Sequence, residues 1–461
     1  MLTTLHSLLA LSLAATPAGA RPFTIETMQQ LVRVGGPALS PDGKWVAFTV
    51  ARSDVARNRM VTNLWMVPSG GGTPQQLTFG ESGSSAQPRW SPDSRSLYFV
   101  STRAEDKPQV FRLALAGGEA RQITQAASGI DAYYLSPDGR TIAFVTTVYP
   151  ECPDLKCNEK KAKERGEDPV KARIITEIPF RRWDSWVDGK RNHIFVMPAD
   201  GGDATDITSG DVDSPIWTEA GSDEVAFSPD GRELCFSRYT DNEALTGNSD
   251  LFVIPVVGGT PKPITTNKAA DTTPLYSPDG RYIAYSATLR PGQETDQTRL
   301  FLYDRVSETT RNVFEAVDRS IGSYIWSSDG KSLYVTFEDR GQGPVARLDP
   351  STLKLTLLEG TGTVGEIQVS RDGSFLIFTR SDFSHPAELF RLGLGPKAAA
   401  PPVELSRFNA DILKDVEFGE YSSFTFPGWN GESVQAWQVK PPAFDPNKKY
   451  PLLLLMHGGP E

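Results

Sequence analysis

Near its end the sequence carries a wholly apolar run, Leu452 to Met456, followed by His457-Gly458-Gly459-Pro460. A run of that kind suits a central strand buried on both faces of an α/β sheet, and a Gly-Gly loop leaving it can turn backbone N–H groups toward an oxyanion. That is part of the chemistry of acyl transfer. The nucleophile is the missing part, since no serine has glycine both two residues before and two residues after it, and neither His193 nor His385 stands in a partner pattern. An oxyanion donor alone cannot transfer an acyl group.

A second concentration of chemistry lies between Ile174 and Lys190, where Glu177, Arg181, Arg182, Trp183, Asp184 and Trp186 fall within ten residues. Carboxylates suit a charged amino terminus, Arg suits a peptide carbonyl, and large aromatics beside Arg are common binding anchors. These six are the candidate substrate-binding residues. The plainer reading is that the two tryptophans pack this segment onto its own structural unit. Just upstream, Cys152 and Cys157 are spaced for a local disulfide in an oxidising compartment. Zinc would need further ligands nearby, and none stands at metal spacing, so no metal is expected. Cys235 reads as an inert core thiol.

The elements that must position these groups are repeats. SPDGKWVAF around Asp42 has six further copies, centred on Asp93, Asp138, Asp230, Asp279, Asp329 and Asp372, at steps of 51, 45, 92, 49, 50 and 43 residues. Pro presets the first corner of a turn, Asp bonds back to the backbone, and Gly accepts positive φ before an apolar strand. A second motif follows each turn as a hairpin, beginning at Leu64, Val110, Ile194, Leu251, Leu300, Val345 and Leu389. With one short strand before each turn, every repeat supplies four strands. The expected fold is therefore all-β, a seven-bladed β-propeller of SPDG-type repeats with the blades contiguous in sequence. No strand is left over to close the ring, so the junction of the first and last blades should be held by face packing. The long step marks an insertion in blade three, residues 148–192.

Residues 1–20 read as a signal peptide, with an apolar core from Leu8 to Ala15 and small residues at Ala18-Gly19-Ala20, which places the chain in the periplasm or outside the cell. Phe23 to Val34 is expected as a short amphipathic helix capped by Thr24. The domain reading is 21–407 for the propeller with this helix and 408–461 for the start of a second domain, with strands at Ser423–Phe426 and Val434–Val439. A net charge of −10 without a basic face argues against nucleic acid, and no later stretch is apolar enough to span a membrane.

SPDG blades followed by KPPAFDPNKKYPLLLLMHGGP resemble the prolyl oligopeptidase family of serine peptidases, in its acylaminoacyl-peptidase and dipeptidyl-peptidase V-like branch. The resemblance implies a propeller capping an α/β-hydrolase domain, a Ser-Asp-His triad, short peptide substrates and no cofactor. Matching HGGP to HGGP gives Gly459 the oxyanion N–H, Gly458 the turn and His457 the support of the loop. The family's G-x-S-x-G and its later Asp and His are absent. The expectation is thus a chain truncated before the triad: a propeller with the first strands of an incomplete α/β-hydrolase (peptidase) domain, inactive without its missing C-terminal catalytic domain. The competing function is a non-enzymatic TolB-like periplasmic propeller that binds other proteins. Whether a homo-oligomer forms is left open.

Overall fold

The computed structural model describes residues 21–80, 83–104, 107–176, 178–218, 223–293, 295–395 and 400–456. The signal-peptide reading, Glu177 and the loop residues His457, Gly458 and Gly459 lie outside the described residues. The described chain divides into two units, residues 32–408 and a smaller one made of the N-terminal stretch to Leu31 with Asn409–Met456.

The larger unit is the seven-bladed propeller. Its seven four-stranded antiparallel sheets span residues 33–76, 85–122, 132–206, 225–263, 271–312, 321–359 and 363–404, and each is built only from its own consecutive strands. The SPDG turn explains itself atom by atom. In six copies the Ser hydroxyl donates to the Asp carboxylate at 2.6–2.7 Å, as Ser40 does to Asp42. That Asp then accepts the backbone N–H two residues on. The Ser oxygen also accepts the N–H that opens the following strand, Trp45 in the first blade. Six turn glycines hold φ near +70°, and Ser94 takes the same left-handed position where Gly is lacking.

The hairpin motif has its own fastening. In blades one, two, three, four and seven a hydroxyl of Thr78, Thr124, Thr208, Thr265 or Ser406 accepts the N–H of Leu64, Val110, Ile194, Leu251 or Leu389, at 2.8–2.9 Å. The central strands are apolar on both faces because neighbouring blades share their cores. Val110, Tyr133, Phe144 and Phe195 form one such cluster between blades two and three, and Leu300, Trp326, Leu333 and Val335 another between blades five and six.

The ring closes without a swapped strand. Blade one meets blade seven through a hydrogen bond from the Gly36 N–H to Glu366 Oε1, 2.9 Å. Phe408, just past the last blade, sets its ring edge-on to Trp65 of blade one at 5.0 Å and near Phe48 at 5.9 Å.

The blade-three insertion contains helix α2, Leu155–Glu167, capped by Asp154, whose carboxylate accepts the Cys157 N–H at 2.8 Å. Cys152 and Cys157 are disulfide-bonded across this cap. Buried Asn158 accepts the Tyr149 N–H, and Lys161, Arg165 and Lys190 stand over the Tyr149 ring.

In the smaller unit, helix α1 covers only Ile25–Gln30, and Thr24 caps it by accepting the Thr27 N–H. The expected helix to Val34 is corrected here. Leu31 turns extended and Arg33–Leu39 become the innermost strand of blade one, so sheet pairing overrides the helical period. Ile25 and Met28 are exposed, and Thr27 is the buried residue. The helix also groups with the C-terminal segment rather than the propeller, since Arg21–Pro22 pair in parallel with Val416–Glu417. The two expected strands form a hairpin, Tyr421–Pro427 with Ser433–Val439. Leu452–Met456 is a different outcome: no strand pairs with it among the described residues, and its side chains are 72–91% exposed. An apolar run becomes a buried strand only where neighbours supply the ladder.

Candidate functional site

The insertion places its candidate residues on a very short hairpin, Arg181–Arg182 paired with Ser185–Trp186. Alternation along it sorts them. Arg181 faces outward, as do Trp183, 74% exposed, and Asp184, whose carboxylate accepts from the Ser185 hydroxyl. Trp186 stacks on Phe180 at 6.0 Å with the Arg173 guanidinium 4.6 Å from its centroid, and Arg173 is held in turn by both oxygens of Asp188. Ile174, Ile175 and Ile178 are exposed as well. The tryptophans therefore do not bury themselves against blade three, which the plainer reading required.

Arg182 points the other way. Its side chain is 11% exposed and lies between two carboxylates, Asp213 and Glu243, that are themselves nearly buried. Nε and Nη2 reach Glu243 at 3.1 and 2.5 Å, while Nη2 and Nη1 reach Asp213 at 2.8 and 3.4 Å. Trp217 lies under the guanidinium at 5.9 Å. Burial alone would lower the Arg182 pKa, but the hydrogen bonds it donates to Asp213 and then Glu243 overcome this and hold the group above its ordinary value. Four of its five N–H donors are engaged in this way, and the two acids account for all four.

Asp213 and Glu243 were not singled out in the sequence. They stand 31 and 61 residues from Arg182, in the loop leading to blade four and in the short helix α3, Glu243–Thr246, and no local pattern marks such a pair.

Neither described histidine is placed as a catalytic base. His193 is buried with Nδ1 on Asp206 at 2.7 Å and Nε2 on the Gly210 carbonyl at 2.8 Å, so both nitrogens are occupied. His385 pairs with Asp382 three residues away. Among the described residues no serine hydroxyl is hydrogen-bonded to either ring, and no group of three or more His, Cys, Asp or Glu is placed to hold a metal. No described helix is long and apolar enough to cross a membrane.

Fold and repeat chemistry together define an open-seam, seven-bladed propeller with an insertion in blade three. The TolB beta propeller domain model matches residues 24–159 and 218–392, and the chain belongs to that family. It is 28% identical over 448 residues to dipeptidyl-peptidase 5 of Porphyromonas endodontalis, a match covering 95% of this chain and 63% of that protein. The chain thus spans less than two thirds of that relative's length. Among solved structures, an acylaminoacyl peptidase in complex with Z-Gly-Gly-Phe-chloromethyl ketone superposes with a TM-score of 0.69 at 16% identity, covering 92% of this chain and 60% of that one. The β-propeller domain of the trilobed protease from Pyrococcus furiosus, described as having an open velcro topology, matches with a TM-score of 0.56 at 13% identity, over 83% of this chain and 97% of that one. The similarity to dipeptidyl-peptidase 5 agrees with the resemblance to prolyl oligopeptidase-family peptidases read from the sequence, and the two solved structures share the fold.

Proposed function

We propose that this chain is the propeller-bearing portion of an exported serine exopeptidase that releases dipeptides or acylated residues from short peptides. The hydrolysis is assigned to a Ser-Asp-His triad on chain beyond residue 461, with Gly459 supplying an oxyanion N–H and His457 and Gly458 shaping its loop. One observation carries the reading. The match to dipeptidyl-peptidase 5 covers 95% of the chain, more than the propeller alone accounts for, so it runs into sequence that a stand-alone binding propeller would not need. The disulfide beside α2 supports an oxidising compartment.

The test compares this chain with a version extended to the full length of its relatives. The extended protein should cleave chromogenic dipeptidyl or acyl-amino-acid substrates and take up one fluorophosphonate per chain, while residues 21–461 alone do neither. Labelling of a serine within residues 21–461, or an extended protein that hydrolyses nothing, would overturn the proposal. Export is checked separately by sequencing the mature amino terminus, expected at Arg21.

A further inference from the structure

Arg182 is the one member of the 181–186 hairpin directed into the protein, and what it meets there comes from two other places in the ring. Asp213, which also accepts the Asn192 N–H at 2.7 Å, ties it to the root of the insertion. Glu243 ties it to α3 on blade four, where Asn242 reaches the Ile178 carbonyl at 3.4 Å. Helix α3 is anchored onward, because the Gly292 N–H from blade five donates to the Thr246 carbonyl at 2.8 Å. Directly after Arg182, Trp183 holds a φ of +49° as the first residue of the two-residue turn that joins the hairpin's strands.

We propose that Arg182 is a positioning residue: the partly buried Asp213–Arg182–Glu243 clamp pins the insertion across blades three and four and fixes how Phe180, Trp183 and Trp186 are presented to a peptide. The substrate-facing half rests on the function proposed above; the clamp itself does not. Arg is suited to the task because its planar fork bonds two carboxylates at once, which an ammonium cannot reproduce. Removing Arg182 leaves two carboxylates unpaired, whereas neutralising Glu243 leaves the Asp213 pair in place, so loss of the arginine should cost the more.

Two measurements test it. In this chain, Arg182→Met should raise amide exchange over residues 178–187 at least tenfold while the blade strands stay as protected as in the parent; Glu243→Gln should do so to a lesser degree, and Arg182→Lys should restore part of the protection. In the full-length enzyme, Arg182→Met should raise KM for dipeptide substrates about fivefold or more with kcat held, a split that general destabilisation would not produce. Trp183→Ala should reproduce the KM rise without the exchange effect. Unchanged exchange in Arg182→Met would overturn the clamp, and faster exchange with unchanged KM would overturn its role toward substrate. A full-length parent that cleaves no peptide would overturn the function and the substrate-facing half, while the exchange result would still decide the clamp.

Discussion

Single residues in this protein are decided by how completely their polar atoms are satisfied. Asp271 opens the innermost strand of blade five with no exposure; one oxygen accepts from Asn267 at 3.0 Å, and Thr265 lies beside the carboxyl. Burial pushes its carboxyl up to about 7, and nearby Asp250 adds to the rise. The folded chain therefore holds a proton that the unfolded chain releases near pH 4, so stability is full below about pH 4 and is lost as pH rises toward 7. Asp271→Asn keeps the acceptor for Asn267 and removes the ionisation. It is expected to stabilise the fold at pH 8 by on the order of 4 kcal/mol, read as a higher unfolding temperature, and to change little at pH 4. Equal effects at both pH values would refute the ionisation account. Residue scale is also where the sequence was least informative. Arg181, Arg182, Trp183, Asp184 and Trp186 were recognisable as a concentration of chemistry, but which of them faces inward depends on Asp213 and Glu243, brought there only by folding.

At the scale of elements the SPDG turn was the most legible part of the chain, because its hydrogen bonds run between residues two to five apart and need no tertiary partner to be inferred. Bonds from Ser370, and then Ser374, hold Asp372 at about 2, and the other six turn aspartates also lie below the usual range. A lowered carboxyl contributes stability above about pH 4 that is lost as pH falls through about 2. Unfolding temperature should accordingly drop across that acid window, and Ser370→Ala should move the Asp372 titration toward 4 in a side-chain carboxyl NMR experiment. The turn glycines are expected to differ among themselves. Gly43 and Gly139 share a φ of +71°, so an alanine at either meets the left-handed penalty of about 1–2 kcal/mol. A Cβ at Gly43 meets nothing within 4 Å, whereas at Gly139 it comes within 2.6 Å of Pro92 Cδ on the preceding blade. Denaturant titration should find Gly139→Ala the costlier of the two; equal losses would mean that Pro92 yields freely. Helix α1 was less legible than the turns. Its apolar period continued past Leu31, but Arg33 and Val34 gain more by pairing with Ala51 and Val50 in blade one.

For the propeller as a whole, seven blades without a closing strand followed from counting repeats, while the side chains that hold the seam did not. Glu366 and Phe408 belong to no repeated motif, and their partners Gly36 and Trp65 lie more than three hundred residues away in sequence. Phe408→Ala and Glu366→Ala are each expected to speed amide exchange in blades one and seven well before blades three to five, since only the outer two lose a neighbour. Uniform acceleration around the ring would show that the seam is no weaker than any other junction. The contiguity of the blades bears on synthesis as well. A ring stitched by its first strand cannot finish its last sheet until the two ends of the chain meet, a loop closure of several hundred residues that is slow and leaves an edge bare meanwhile. Here each sheet is complete once its own 38 to 75 residues have emerged, as the spans from 33–76 to 363–404 require. Nascent chains stalled at successive lengths should therefore develop pulling force in seven pulses, one per blade, with docking of the two ends as a separate and late event.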